Sequence, residues 1–248
     1  MTATRTDDTL RQTIARLRGH GKSMQGAPAY SRFVNRPLGR VIAAVAFRLG
    51  ATPDMVTGVS ALLSLAGIVT LAVAGPSVGA AVAVTLLLVL GYAFDSADGQ
   101  LARLRGGGSP AGEWLDHVVD CAKISLLHVA VLVGLHGAGL SGGRLLVPLG
   151  FLVAANLYFF TFVLTDLLGR VERARTGSAA PTRTGRASVL RSLLVAPTDY
   201  GLLCLAFLLW AWPAAFVVVY GLLGLGTAGY VLLGLPKWRR DMRRLTAA

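Results

Sequence analysis

Charge is scarce in this sequence, and that scarcity excludes most soluble folds. Only 15% of the 248 residues are Asp, Glu, Lys or Arg, against about 25% in a soluble globular domain. Acidic residues are rarer still, 12 against 24 Lys and Arg, leaving a net charge of +12. There are two cysteines, Cys121 and Cys204. Both fall inside apolar stretches, which excludes a disulfide framework and a cysteine-based metal site. No His or Cys spacing favours zinc. The N-terminal stretch lacks the apolar core of a cleavable signal peptide. The basic residues do not interleave with exposed aromatics, so no nucleic-acid partner is expected; anionic lipid headgroups and membrane topology account for them. What fills the chain instead is apolar: 54% hydrophobic residues and a mean hydropathy of +0.62. The runs are too long and too uniform for barrel strands, so the expected fold class is all-α, a polytopic membrane protein.

Residues 1–29 read as a flexible basic cytoplasmic arm. The following stretch, Tyr30 to Gly50, mixes apolar residues with Arg32, Arg36, Arg40 and Arg48, the pattern of an interfacial amphipathic helix. Ala51-Thr52-Pro53-Asp54 supplies a turn and a helix start. Six transmembrane helices are expected after it: about Val56–Ala74, Ala80–Phe94, Glu113–Leu135, Leu145–Leu168, Tyr200–Trp212 and Phe216–Leu235. A short helix over Ser188–Val195 is also expected, with Asp199 capping the fifth span. The membrane domain thus covers residues 30–236, and residues 237–248 form a basic cytoplasmic tail. Of the 24 Lys and Arg, nine precede Thr52, two lie between Asp95 and Asp120, six in Arg170–Arg191 and five in the tail. With six spans, those 22 share one face, opposed only by Arg144. Both termini are therefore expected in the cytoplasm of a multi-pass plasma-membrane protein.

The stretch Asp95–Asp120 holds five of the twelve acidic residues. Asp95 and Asp98 are spaced i,i+3, and Asp116 and Asp120 i,i+4, so each pair shares a helix face. Between them L-R-G-G-G-S-P-A-G breaks the helix. Folding at that turn would gather four carboxylates at one end of a helical hairpin, where like charges at a membrane boundary need a cation. Oxygen donors suit Mg²⁺ or Mn²⁺, and two such ions bridged by carboxylates are a recurrent device for phosphoryl displacement. Gly99 and Gly112 would let a ligand or the other helix approach, and Arg103 could clamp phosphate oxygens. The plain structural alternative is a hairpin with a solvated acidic end. An ion-coupled transporter, whose carboxylates bind cations, and a prenyltransferase, which would want a second Asp-rich stretch, are the other functional readings.

The spacing D-x2-D-G-x2-A-R-x8-G-x3-D-x3-D, at Asp95, Asp98, Gly99, Ala102, Arg103, Gly112, Asp116 and Asp120, resembles the signature of the CDP-alcohol phosphotransferases, also called CDP-alcohol phosphatidyltransferases. T-P-D-x-V-T at Thr52–Thr57 and R-G-G-G-S are similar to the actinobacterial branch that uses inositol phosphate. The resemblance implies metal-dependent transfer of a phosphatidyl group from CDP-diacylglycerol, or a substituted phosphoryl group from another CDP-alcohol, to an alcohol acceptor with release of CMP. It implies two Mg²⁺ or Mn²⁺ ions held by Asp95, Asp98, Asp116 and Asp120, with Asp120 also the base. Asp54, Met55, Val56, Thr57, Gly99, Arg103, Ser109 and Gly112 would hold the cytidine diphosphate. A homodimer is implied as well. That branch follows the last Asp directly with Arg, whereas here Cys121-Ala122-Lys123-Ile124-Ser125 stands in its place. Lys123, Arg183 and Arg186 are the candidate acceptor ligands, with Arg191 beside them, and the acceptor is left open. For the arginines, topology and lipid charge are the competing explanation. His117 reads as packing or a polar contact behind the carboxylates, and His128 and His136 as interior or loop residues.

Overall fold

The computed structural model describes residues 9–19, 28–177 and 195–245, among which all regular structure is helical and no strand occurs. Five helices are long and apolar enough to cross a membrane: α3 (Pro53–Val73), α4 (Val78–Leu104), α5 (Pro110–Gly137), α6 (Leu146–Thr176, entered through a 3₁₀ turn at Gly142–Leu145) and α8 (Pro213–Leu245). Their starts are written in the sequence. Thr52, Ser77 and Ser109 each accept a hydrogen bond from the backbone N–H three residues on, and Pro53 and Pro110 occupy the first helical positions. The fifth expected span, Tyr200–Trp212, is instead a shorter apolar helix, α7 (Tyr200–Ala206), which tightens into a 3₁₀ segment, Phe207–Ala211, before Pro213. Seven α-helical and five 3₁₀ residues rise about 20 Å, and the turn Ala196–Thr198 leads into them. Side chains such as Leu62, Val69, Leu222 and Leu233 point outward along the spans, as lipid-facing residues do.

A helix with one buried face also lies within the residues expected to form a flexible arm. Helix α1 (Leu10–Gly19) buries Thr13 and Leu17, and Leu17 joins a cluster with Ala43, Phe47, Ala97 and Leu101. Its start is a capping box: Thr9 N–H donates to Gln12 Oε1 at 2.7 Å, and Gln12 N–H to Thr9 Oγ1 at 3.4 Å. A π-helical turn, Ser31–Asn35, leads into α2 (Arg36–Arg48). α2 lies on α4 at Gly39, where an added Cβ would come within 2.8 Å of the Ser96 side chain.

The main core joins α3, α4, α5 and the α7–α8 region through Leu71, Val84, Leu88, Leu127 and Val131, and is closed by the rings of Phe207, Trp210, Phe216 and Tyr220. Hydrocarbon outside cannot drive these helices together, so small residues let their backbones approach. Ser60 Oγ donates to Gly91 O at 2.8 Å. At Gly134 of α5 an added Cβ would lie 2.7 Å from Leu71 O. Trp210 Nε1 donates to Gly75 O at 3.2 Å, tying the 3₁₀ segment to the α3–α4 loop.

Asp199 ties two distant parts of the chain. Its Oδ2 accepts from the backbone N–H of Tyr30 at 2.7 Å and of Ser31 at 3.4 Å, while Oδ1 accepts from Gly201 N–H at 3.1 Å. It therefore caps α7, as expected, and serves the helical segment that begins at Tyr30 as well. The expected helix at Ser188–Val195 lies outside the described residues except at Val195, a turn.

Candidate active site

α4 does not stop where its apolar run does. It continues through Asp95 to Leu104, about three turns beyond Phe94 that carry Asp95, Asp98 and Arg103. The chain then turns through Gly106 (φ 100°) and Gly107 (φ 130°), a backbone that side chains with a Cβ rarely adopt. Arg105 fastens the turn by donating to Ala51 O at 2.7 Å. α5 restarts at Pro110 and runs back, so Asp95 and Asp98 on one helix meet Asp116 and Asp120 on the other.

The four carboxylates form a closed ring of electrostatic neighbours: Asp98 interacts with Asp95 and Asp116, and Asp120 with Asp95 and Asp116. Asp98 is buried, 6% exposed. Its Oδ2 accepts from Thr57 Oγ1 at 2.6 Å and its Oδ1 from Gly99 N–H at 2.5 Å, so α3 fixes the orientation of an α4 carboxylate. Asp116, His117 and Asp120 each bring one ligand atom within 4.8 Å of the others. His117 thus stands beside the carboxylates as a ligand candidate, not merely as packing. The signal was present, since His117 and Asp120 are spaced i,i+3.

Lys123 enters the same cluster. Its ammonium pairs with Asp95 Oδ1 and lies 2.8 Å from Asp120 Oδ1. Such a cation between two carboxylates is a stand-in for positive charge, and the donors around it are hard oxygens. That donor set fits a divalent ion such as Mg²⁺ or Mn²⁺.

Beside the cluster opens a cavity of about 630 Å³. Asp98 and Asp116 lie in its wall together with Asp54, Thr57, Gly99, Arg103, Ser109 and Gly112, eight of the residues expected to hold metal or nucleotide. Gly112 makes room there, because an added Cβ would lie 3.2 Å from both Asp54 Oδ1 and Ser109 Oγ. Three arginines, Arg103, Arg105 and Arg170, also line it. Arg170 pairs with Glu113 and holds Asp166 Oδ2 at 3.1 Å, which ties α6 to the start of α5. Arg105 and Arg170 had no assigned part in the sequence reading, although Arg105 lies two residues past Arg103.

Two expected residues lie elsewhere. Met55 is 61% exposed, and Val56 is buried in the cluster around Ala97 and Leu101. On a helix Asp54 and Thr57 share the face toward the cavity, and the two residues between them turn away. Asp95, Asp120 and Lys123 sit beside the cavity rather than in its wall. Arg183, Arg186 and Arg191 lie outside the described residues. His128 is interior, with Nδ1 2.5 Å from Tyr220 OH.

Residues 50–230 match the family model for CDP-alcohol phosphatidyltransferases. No curated protein matches the chain. Among solved structures the chain is similar to phosphatidylinositol phosphate synthase from Mycobacterium tuberculosis with CDP-DAG bound, at 23% identity and a TM-score of 0.55, covering 83% of this chain and 93% of that one. It is similar also to the same synthase in complex with manganese and citrate, at 24% identity and a TM-score of 0.54, covering 79% and 87%. These likenesses are to the fold.

Proposed function

The chain belongs to the CDP-alcohol phosphatidyltransferase family, and from that premise we propose that it moves a phosphatidyl group from CDP-diacylglycerol to an alcohol, releasing CMP, on the cytoplasmic side of the plasma membrane. The observation that carries the reading is the meeting of four Asp carboxylates from α4 and α5 beside a basic, 630 Å³ cavity at the helix ends. The relative of known structure that binds CDP-DAG supports the choice of donor, and the one in complex with manganese supports divalent metal.

Asp95, Asp98, Asp116 and Asp120 would hold two ions, Mg²⁺ or Mn²⁺, with His117 within reach of one of them. Bound there, the metal supplies charge neutralisation for the pyrophosphate and for the departing CMP. The chain's own residues do the rest. Asp54, Thr57, Gly99 and Ser109 line the space for the cytidine diphosphate, and Arg103 offers a guanidinium to phosphate oxygens. The acceptor oxygen forms a bond to the phosphorus that carries diacylglycerol as the bond to the CMP oxygen breaks. Asp120 accepts the hydroxyl proton. Positioning and charge carry most of such a reaction, and the base adds a smaller factor. The charge split across the spans supports cytoplasmic termini and active site, and the resemblance to the family supports a homodimer.

Purified protein incubated with labelled CDP-diacylglycerol, Mg²⁺ and a panel of inositol phosphate, glycerol phosphate, serine and inositol should release CMP with at least one acceptor. Release only from another CDP-alcohol would move the donor assignment. No CMP from any donor, with cation flux in liposomes that Asp120→Asn abolishes, would instead make the chain a carrier.

A further inference from the structure

A buried ammonium has been placed inside a cluster reserved for metal. Lys123 is 8% exposed, one helical turn beyond Asp120 on α5. It lies 2.8 Å from Asp120 Oδ1, pairs with Asp95 Oδ1 on α4, and points its third donor at Ser60 Oγ of α3, 3.4 Å away. Ser60 is itself fixed, because its hydroxyl is committed to Gly91 O. The three helices that frame the cluster therefore converge on one nitrogen. Lys123 sits with Asp95 and Asp120 beside the cavity, outside its wall. All three of its hydrogens have acceptors.

We infer that Lys123 is a positioning residue, the resident cation of the carboxylate ring. With no divalent ion bound, its ammonium keeps Asp95 and Asp120 together across the α4–α5 seam and suppresses their mutual repulsion. When a divalent ion binds, it shares those carboxylates and meets the ammonium as a like charge. The lysine thus stabilises the metal-free protein and weakens metal binding, two faces of one coupling. The ion exchanges one positive partner for another, so the helices need not move apart between the two states. The metal half rests on the proposed metal-dependent reading; the metal-free half does not.

Lys123→Met keeps the apolar stem and removes the charge. Two quantities decide the matter: the thermal midpoint in detergent with EDTA, and Mn²⁺ affinity from the free-Mn²⁺ paramagnetic resonance signal during titration. In EDTA the variant should melt lower than the wild type by roughly 3 °C or more, and saturating Mn²⁺ should erase most of the gap. Its Mn²⁺ affinity should rise about tenfold, while Lys123→Arg, which keeps the charge, should stay near wild type in EDTA. An unchanged EDTA midpoint, or an Mn²⁺ affinity that is unchanged or falls, overturns the inference. Should Lys123→Met not fold in either medium, the double variant D120N/K123M, which deletes both charges, becomes the test. Recovery of folding in EDTA supports the inference, and no recovery overturns it. Absence of Mn²⁺ binding by the wild-type protein would instead defeat the metal reading itself.

Discussion

Thr57 and Asp98 show how a single side chain orders the site. The Thr57 hydroxyl, 2.6 Å from Asp98 Oδ2, is one of two donors that hold the most enclosed carboxylate of the cluster. Replacing it by Val keeps the shape and deletes the donor, leaving a buried oxygen underserved. A loss of about 1–3 kcal/mol in unfolding free energy is expected, and CMP release should fall as Asp98 loses its fixed rotamer. Denaturant titration and the CMP assay check both. Asp199 offers a pH signature. Burial pushes its carboxyl above the usual range, with the N–H groups of Tyr30, Gly201 and Ser31 pulling the other way. A folded-state pKa raised above the unfolded one means stability that is fully present below the unfolded value and lost as pH rises through the folded value. The thermal midpoint of the wild type relative to Asp199→Asn should therefore decline as the pH rises above the ordinary carboxylate range, about 4. A difference that stays level over that rise would show the group titrating alike folded and unfolded.

Helices are held at distances set by their smallest residues. At Gly134 the added Cβ of Gly134→Ala would press on Leu71 O at 2.7 Å and on the Trp210 ring at 2.8 Å, and a backbone carbonyl cannot swing aside. Overpacking of this kind costs about 1–3 kcal/mol, so the variant should melt lower while the same change at Gly137, which has nothing within 4 Å, should not. Elements of this kind were legible where period and capping agreed. The start of α3 followed from Thr52-Pro53, and the meeting of the Asp pairs from their i,i+3 and i,i+4 spacing; α5, expected from about Glu113, begins at Pro110, because the glycines before Ser109-Pro110 masked a cap and first-turn proline. α1 was hidden because its basic composition outweighed the short capping signal T-L-R-Q. The length of α6 was underread because its final turns are charged, although Arg170 reaches Asp166 and Arg175 reaches Glu172 within the helix. Lys123 reads in the sequence as one candidate for the acceptor, and its pair with Asp95 joins two helices, beyond what periodicity along either one can show. Arg170 reached the cavity only through tertiary packing, which no spacing along one helix reveals.

For the whole molecule the decisive asymmetry is charge. The described Lys and Arg side chains outside the spans crowd the helix ends that carry the carboxylates, while Arg144 stands alone near the opposite turn. In a background with Cys121 and Cys204 replaced, Ser141→Cys should react with a membrane-impermeant maleimide on intact cells. Lys237→Cys should react only after permeabilisation. The reverse pattern would turn the protein over and put the cavity outside, away from a cytosolic nucleotide.

The hydrogen bonds of Asp199 bear on how the chain is made. Tyr30 leaves the ribosome early, but the carboxylate that serves its amide is encoded 169 residues later. During synthesis the segment that begins at Tyr30 must therefore wait, its leading N–H served by water, until nearly the whole polypeptide has been made. Closure of the N-terminal segment onto the rest is then among the last steps of assembly, and a chain truncated before that aspartate would reach the membrane without its fastening.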